Sequence, residues 1–306
     1  MNKDLKIVFY GTPEFAVPSL QILVENGWQI AGVVTAPDKP QGRGRKVNYS
    51  PIKEYALQAG LRILQPTNLK STEFLNELQE INPDLQIIVA FRMLPESVWS
   101  CPKMGTFNLH ASLLPAYRGA APINWAIING EKQTGLTTFF LQHEIDTGEV
   151  IFQVVEPILE DDNAGTLYER LMNKGGSLVL KTVEAIAEDS VESKPQVYTE
   201  NLPKAPKIFK ETCEIDWTKS AEEIYNFIRG LSPYPTAWTR VNDVVYKIYK
   251  ASFEVVNQHN PPAYIKTDNK NYIKIACKDG WVILEEIQME GRKKMNVKEF
   301  LNGYNL

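Results

Sequence analysis

Apolar runs alternate with amphipathic stretches along the first 188 residues of the chain. The runs at residues 5–10 and 85–90 are typical of strands buried on both faces, whereas residues 13–25 and 71–82 carry apolar side chains at helical spacing. The same pattern predicts further elements: strands at 28–35, 106–110, 137–141 and 150–155, and helices at 50–59 and 165–188. Alternation of this kind predicts an α/β fold with an open, mostly parallel sheet flanked by helices.

The pattern changes near residue 189, and this change predicts a second domain. Residues 189–206 are polar and contain prolines, as linkers do. An amphipathic stretch follows, and then short alternating strands separated by Asn, Gly and Lys turns, at 244–249, 272–277 and 281–287. We therefore predict a Rossmann-like domain over residues 1–188, a linker over 189–206 and a small β-rich domain over 207–306.

Composition narrows the class of protein. No segment of the 306 residues approaches the roughly 20 uninterrupted apolar residues of a membrane span, and the N-terminus lacks the layout of a signal peptide. Three scattered cysteines and three histidines form no disulfide-like or metal-like pattern. These features predict a cytoplasmic protein without a membrane anchor and without a bound metal.

The segment from residue 108 to residue 122 places reactive side chains at the end of a predicted strand. Asn108 and His110 lie two residues apart, so in a strand they point to the same face. Pro115 and Gly119 then indicate a loop, and polar side chains at the end of an α/β strand lie where such sheets usually bind ligands. An amide donor beside a base that titrates near neutrality suits acyl chemistry, although Asn-x-His alone is more often a solvated strand end.

The whole segment resembles the signature of the folate-dependent formyltransferases, through the series Asn108-x-His110-x-Ser112-Leu-Leu-Pro115 and Tyr117-Arg118-Gly119. Asp146-Thr147-Gly148 stands where that family carries its third catalytic residue. The resemblance implies that Asn108, His110 and Asp146 are catalytic. It also implies 10-formyltetrahydrofolate as the co-substrate and an OB-like barrel as the second domain. In such chemistry Asn108 and His110 stabilise the oxyanion of a tetrahedral intermediate, and Asp146 assists.

The same resemblance places the folate between two loops of the first domain. A flat pterin ring requires an apolar slot with backbone groups that read its edges. The implied folate-binding residues are Phe91, Arg92 and Leu94 in one loop, and Ser112, Leu113, Leu114 and Pro115 in the other. Relatives usually carry an aromatic–glycine step in the first loop, so Arg92 departs from the family pattern.

A long polar loop at residues 36–49 bears on which amine receives the formyl group. Fourteen residues without predicted secondary structure, many of them polar, are unusual in a compact domain and indicate a function. In the family this insertion meets the acceptor end of initiator tRNA, which implies methionyl-initiator tRNA as the partner and Arg43, Arg45 and Lys46 as contacts. Residues 204–306 carry a net charge of +3 in a chain whose total is −4, so Lys207 is expected to contact the RNA backbone. A monomer is expected.

Other functions are compatible with the sequence. A formyltransferase acting on a small amine, such as an amino sugar nucleotide or glycinamide ribonucleotide, keeps the same chemistry, and a formylfolate hydrolase uses water instead. A catalytically silent RNA- or folate-binding module has no need of Asn108, His110 and Asp146 together. A dinucleotide-dependent enzyme is disfavoured, because the turn at residues 11–13 lacks the Gly-x-Gly-x-x-Gly spacing.

Overall fold

The computed structural model describes residues 3–41, 46–144, 146–197 and 199–304. Arg43 and Arg45, which are predicted to contact the tRNA, lie outside these residues, and only the backbone of Lys46 is described. The chain forms two compact units. The first comprises Met1–Arg118, Gly135–Glu156 and Tyr168–Pro203, and the second comprises Gly119–Thr134, Pro157–Leu167 and Lys204–Leu306. Each unit thus combines three separate segments of the chain, whereas each of our predicted domains is one continuous range.

The described residues form the strands β1–β17 and the α-helices α1–α8. The strands are β1 (Ile7–Gly11), β2 (Ile30–Val34), β3 (Lys39–Gln41), β4 (Lys46–Asn48), β5 (Ile63–Leu64), β6 (Leu85–Val89), β7 (Thr106–His110), β8 (Arg118–Gly119), β9 (Gln133–Phe140), β10 (Val150–Pro157), β11 (Lys204–Ala205), β12 (Ala237–Val241), β13 (Val244–Val255), β14 (Ile265–Thr267), β15 (Ile273–Cys277), β16 (Gly280–Met289) and β17 (Met295–Asn296). The helices are α1 (Val17–Glu25), α2 (Pro51–Gln58), α3 (Thr72–Ile81), α4 (Glu96–Trp99), α5 (Pro122–Ile128), α6 (Ala164–Ala187), α7 (Ala221–Leu231) and α8 (Val297–Gly303). Within the described parts of the chain, no helix is both long and apolar enough to cross a membrane.

The first unit is built on a seven-stranded sheet with the order β10-β9-β7-β6-β1-β2-β5. β1 pairs in parallel with β2 and β6, β2 with β5, and β6 with β7, whereas β9 runs antiparallel to β7. Every residue of β1 and β6 is buried, as expected for apolar strands in the middle of a sheet covered on both faces. The predicted open, mostly parallel sheet is confirmed, and the carboxyl ends of β6 and β7 lie side by side.

The segment at residues 36–49 is not the structureless loop that its polar sequence predicts. β3 and β4 pair as a short antiparallel ladder that places Lys39 opposite Asn48. The ladder is made by backbone groups, so it forms without the apolar alternation on which a strand prediction depends. Lys53, one of the basic residues near this segment, forms an ion pair with Asp38 and is therefore neutralised within the protein.

The polar segment predicted as a linker is attached to the first unit. Lys194 forms a backbone bridge with Val150 of β10, with N–O distances of 2.8 and 2.9 Å in the two directions. Gln196, two residues further along, is buried. Composition did not indicate this attachment, because backbone groups and a polar side chain make the contacts.

The second unit contains an antiparallel sheet with the order β12-β13-β16-β15-β14, to which β17 is added beside β16. Register shifts in the β13–β16 ladder between Ile248 and Ala251 bend the strands, as β-bulges do. The strands predicted near 244–249, 272–277 and 281–287 are confirmed as β13, β15 and β16. α5 was not predicted, and it packs with α7, where Asn124 Nδ2 donates to the Gly230 carbonyl at 2.8 Å.

A buried carboxylate joins β10 to α6 in the first unit. Glu156 is 3% exposed and accepts hydrogen bonds from Arg170 Nε at 2.9 Å and from Lys174 Nζ. Burial raises the pKa of this carboxyl, but the hydrogen bonds and charges of Lys174 and Arg170 outweigh burial and hold the pKa below its ordinary value. The charged form of Glu156 therefore stabilises the fold.

We expect Glu156→Gln to lower the free energy of unfolding by about 1.5–3 kcal/mol at neutral pH, because two cations lose their charged acceptor. A carboxyl with a depressed pKa in the folded state contributes stability above its unfolded pKa and loses it as the pH falls toward the folded value. The difference between the variant and the wild type should therefore shrink from about pH 6 to about pH 3.

Urea unfolding of both proteins across this range measures the effect. Glu286→Gln is the control, because Glu286 pairs with Lys294 at the surface and its loss should cost less than about 1 kcal/mol. A difference that stays constant with pH would contradict the role assigned to Glu156.

Candidate active site

β7 carries Asn108 and His110 on one face near the middle of the first unit's sheet. The two residues flank Leu109, and β7 lies between β6 and β9. His110 is 6% exposed. Asn108 is half-buried, and among the described residues its side chain makes no hydrogen bond. The amide hydrogens of Asn108 are thus available to a ligand.

Both ring nitrogens of His110 face oxygen atoms. Nε2 lies 2.9 Å from the backbone carbonyl oxygen of Tyr117, and Nδ1 lies 3.8 Å from Oδ2 of Asp146. A carbonyl oxygen only accepts hydrogen bonds, so Nε2 carries a hydrogen, and Nδ1 is the nitrogen at which the ring gains or loses a proton. The imidazole is therefore held at one nitrogen, and its other nitrogen faces a carboxylate.

Asp146 lies in the turn between β9 and β10, as the sequence predicts. Its backbone φ is 56°, a left-handed conformation that Asp adopts more readily than most residues. A Cβ at Gly148 would lie 1.6 Å from the carbonyl oxygen of Phe140, so the turn can pass this close to β9 only with glycine. In Asp-Thr-Gly, Asp146 therefore lies beside His110, and Gly148 permits the close turn.

Side chains of β9 and β10 brace the loop that follows β7. Thr137 Oγ1 donates to the Ser112 carbonyl at 2.7 Å and accepts from the Leu114 N–H at 3.2 Å. Gln153 Nε2 donates to the Leu114 carbonyl at 2.8 Å. The loop predicted to bind folate is thus fixed by two neighbouring strands.

The other predicted folate loop follows β6. Phe91 packs edge-on against the ring of Tyr10, with centroids 5.7 Å apart. Arg92 Nη1 donates to the Thr67 carbonyl at 3.0 Å, and Nη2 donates to the carbonyl of Pro66. The guanidinium of Arg92 is therefore engaged within the protein, which explains how this loop accommodates an arginine where relatives carry a small residue.

The predicted catalytic, folate-binding and tRNA-binding residues are divided between the two units. The predicted catalytic residues and both folate loops belong to the first unit, whereas Lys207 belongs to the second. His143, to which the sequence assigns no role, is exposed and lies 3.5 Å from the carboxylate of Glu96.

Sequence reasoning missed three residues that bind the predicted site segments. Thr137 and Gln153 bind the loop after β7, and Gln196 donates to the backbone of the Asp146 turn. Thr137 is the register partner of His110 in the β7–β9 ladder. β9 also contains Thr134 and Thr138, so its sequence does not single out Thr137. Nothing in the local sequence distinguishes either glutamine from an ordinary surface residue.

A cleft of about 600 Å³ in the second unit gathers basic and aromatic side chains. Lys207, Lys210 and Lys247 line it together with a glutamate and the rings of Tyr234 and Trp238. Tyr234 is 83% exposed, so its face is open to a ligand. Cations beside an accessible aromatic ring suit a nucleotide, whose phosphate and base they contact respectively.

Both parts of the chain match sequence profiles of formyl transferases. The formyl transferase profile matches residues 5–183, and that of the formyl transferase C-terminal domain matches residues 207–305. Methionyl-tRNA formyltransferase from Bacteroides fragilis is 53% identical over an alignment covering 100% of this chain and 97% of the relative. The protein of the same name from Phocaeicola vulgatus is 55% identical, with 99% and 97% covered.

Solved structures share the architecture. WlaRD, a sugar 3N-formyl transferase crystallised in the presence of dTDP and 5-N-formyl-THF, aligns with a TM-score of 0.68 at 25% identity, covering 94% of this chain and 99% of its own. An N-formyltransferase from Helicobacter canadensis, in complex with folinic acid and dTDP-3-aminofucose, aligns with a TM-score of 0.68 at 23% identity over 95% of this chain and 100% of its own. The second likeness concerns the fold alone.

Proposed function

This chain belongs to the formyl transferase family, and from that premise we propose that it transfers the formyl group of 10-formyltetrahydrofolate to the amino group of methionyl-initiator tRNA. Relatives that are more than half identical carry the name of this activity and align over nearly the whole of both chains. The observation that carries the proposal is the position of His110 between the Tyr117 carbonyl and Asp146. Formyl transfer needs such an oriented group to accept and return a proton.

The residues present fit a folate co-substrate. Apolar side chains of the two loops, including Phe91 and Leu113, suit the faces of a flat ring, and backbone groups of the loops suit its edges. Because the guanidinium of Arg92 binds backbone carbonyls of the protein, we assign Arg92 to the bracing of its loop. The folate supplies the formyl group and departs with a nitrogen that requires a proton.

The protein's contribution to the reaction is orientation, charge stabilisation and proton transfer. The substrate amine attacks the formyl carbon, and the amide of Asn108 donates to the oxygen that becomes negative, which is worth about 10²–10³ in rate. Nδ1 of His110 accepts the proton that the amine loses, and Asp146 stabilises the imidazolium. The protonated ring adds positive charge beside the oxyanion, and its proton passes to the folate nitrogen as the carbon–nitrogen bond breaks.

The cleft of the second unit supports an RNA substrate. Its three lysines and the accessible ring of Tyr234 suit the phosphates and a base of a nucleic acid strand. Arg43, Arg45 and Lys46 remain predicted contacts of the tRNA.

Transfer of labelled formyl from 10-formyltetrahydrofolate to methionine on initiator tRNA tests the proposal. Methionine on elongator tRNA and a reaction without RNA are run beside it. Label on initiator methionine well above elongator supports the proposal. Folate turnover with no label on either tRNA would overturn the acceptor, and a panel of amino sugar nucleotides and glycinamide ribonucleotide then identifies a small-amine substrate.

We expect replacement of Lys207, Lys210 and Lys247 by Gln to weaken tRNA binding. Because fewer counterions are released on binding, the slope of log affinity against log salt should become shallower by about 2–3. Filter binding of initiator tRNA between about 50 and 200 mM salt measures this slope.

A variant with the same change in net charge provides the control: Lys250, Lys266 and Lys274 replaced by Gln. These lysines do not line the cleft. Equal slopes for the two triple variants would remove the cleft from RNA binding.

A further inference from the structure

Gln196 binds two parts of the active site with one carboxamide. Its Nε2 donates to the Asp146 carbonyl at 2.9 Å and to the Gly148 carbonyl at 2.8 Å. Its Oε1 accepts a hydrogen bond from Nη2 of Arg118. The residue is 9% exposed, so these bonds are formed largely out of solvent, where each is stronger than at the surface.

The partners determine the orientation of the carboxamide of Gln196. Two backbone carbonyls only accept and a guanidinium only donates, so the nitrogen must face the turn and the oxygen must face Arg118. A carboxylate of the same size keeps the bond to Arg118 but sets an anion against both carbonyls. Glutamine is thus the residue that serves all three partners.

These hydrogen bonds complete a closed series of contacts around the imidazole of His110. Tyr117 precedes Arg118 in the chain, and its carbonyl holds Nε2 of His110. On the opposite side, Asp146 faces Nδ1. Gln196 connects Arg118 to the turn of Asp146, so it links the group that holds the ring to the group that faces its reactive nitrogen.

The backbone at Tyr117 and at Asp146 adopts a conformation that neighbouring groups must stabilise. Tyr117 and Asp146 have φ angles of 58° and 56°, and left-handed conformations at residues other than glycine persist when their surroundings hold them. Gln196 holds the Asp146 carbonyl directly. Gln196 itself is held two residues away, by the backbone bridge between Lys194 and Val150.

We propose that Gln196 is a positioning residue of the active site, which sets Asp146 against Nδ1 of His110. The proposal rests on the proposed function for its catalytic consequence. The hydrogen bonds of the Gln196 carboxamide go to Arg118 and to the turn of Asp146, so Gln196 acts through these groups. Its loss should therefore lower kcat while the KM for folate stays within about twofold, because the folate loops are braced separately, one by Thr137 and Gln153 and the other by Arg92.

Two variants test the proposal. Gln196→Met keeps the volume and removes every hydrogen bond, and Gln196→Glu keeps the acceptor for Arg118 but removes both donors. We expect each variant to lower kcat about 10- to 100-fold, the order of effect that misplacement of a catalytic group produces. Gln258→Met is the matched control, because Gln258 Nε2 donates to the Cys277 carbonyl at 2.9 Å in the second unit.

A spectroscopic measurement separates positioning from a general loss of structure. The chain contains three histidines, so the ring nitrogens of His110, His143 and His259 are resolved in a ¹⁵N spectrum and assigned with single His→Gln variants. We expect Gln196→Met to shift the ring nitrogens of His110 and to leave the other two histidines unchanged. Urea unfolding confirms that each variant is folded under the assay conditions.

Wild-type kcat in Gln196→Met, or unchanged His110 signals, would overturn the proposal. So would a loss of activity that Gln258→Met reproduces at equal folded fraction. The spectrum needs no substrate, so it tests Gln196 even if the wild-type protein formylates neither tRNA. Failure of the positioning role and failure of the proposed function are thereby distinguished.

Discussion

Replacing His110 by Gln is expected to lower kcat for formyl transfer about 10²- to 10⁴-fold, the contribution of a positioned general acid–base group. The amide of the new side chain can still donate to the Tyr117 carbonyl, which lies 2.9 Å from Nε2 in the wild type. It has no nitrogen that takes up a proton. The variant therefore keeps the structural bond and removes the chemical function at Nδ1.

Steady-state kinetics with methionyl-initiator tRNA measure this effect. His143→Gln is the matched control, because His143 is 74% exposed and pairs only with Glu96 among the contacts described for its ring nitrogens. That control should retain wild-type kcat. A His110→Gln enzyme that turns over at the wild-type rate would remove His110 from the proposed mechanism.

Asp146→Asn is expected to have an effect of the same order, about 10²- to 10⁴-fold on kcat. The two side chains have the same shape, but an amide nitrogen that faces Nδ1 donates to its lone pair, so this lone pair is no longer free to take up the proton of the amine. The amide also lacks the negative charge that stabilises the imidazolium during the reaction.

The KM values for folate and tRNA should stay near those of the wild type, because Asp146 is assigned no role in binding either substrate. Glu144→Gln, an exposed neighbour in the same turn, is the control for a change of charge. Unchanged kcat in Asp146→Asn would exclude Asp146 from the mechanism and leave its proximity to His110 without a catalytic consequence.

Local sequence patterns predicted the elements that carry the chemistry. β7 has the bounds predicted from its sequence, and Asn108 and His110 share a face because side chains alternate in any strand. α3 begins after Ser71, whose hydroxyl accepts from the Phe74 N–H at 3.4 Å, as a serine N-cap does. These features depend on neighbouring residues, so a short window of sequence contains them.

Other elements depend on partners distant in the chain. α5 is seven residues long and begins with proline, and a helix this short gains its stability from packing, here against α7. β3 and β4 are three residues each and pair through their backbones, so they are too short to show an apolar alternation.

The sequence by itself determined the parallel sheet, the family and the residue types that the chemistry requires, because periodicity and motif spacing are properties of contiguous residues. The tertiary structure decided which nitrogen of His110 faces the Tyr117 carbonyl and which one faces Asp146, since these groups approach the ring from different loops. It also decided that Gln196, 50 residues beyond Asp146 in a segment with the composition of a linker, binds the turn that carries Asp146. Contacts between such distant residues exist only once the sheet has packed and brought the two segments together.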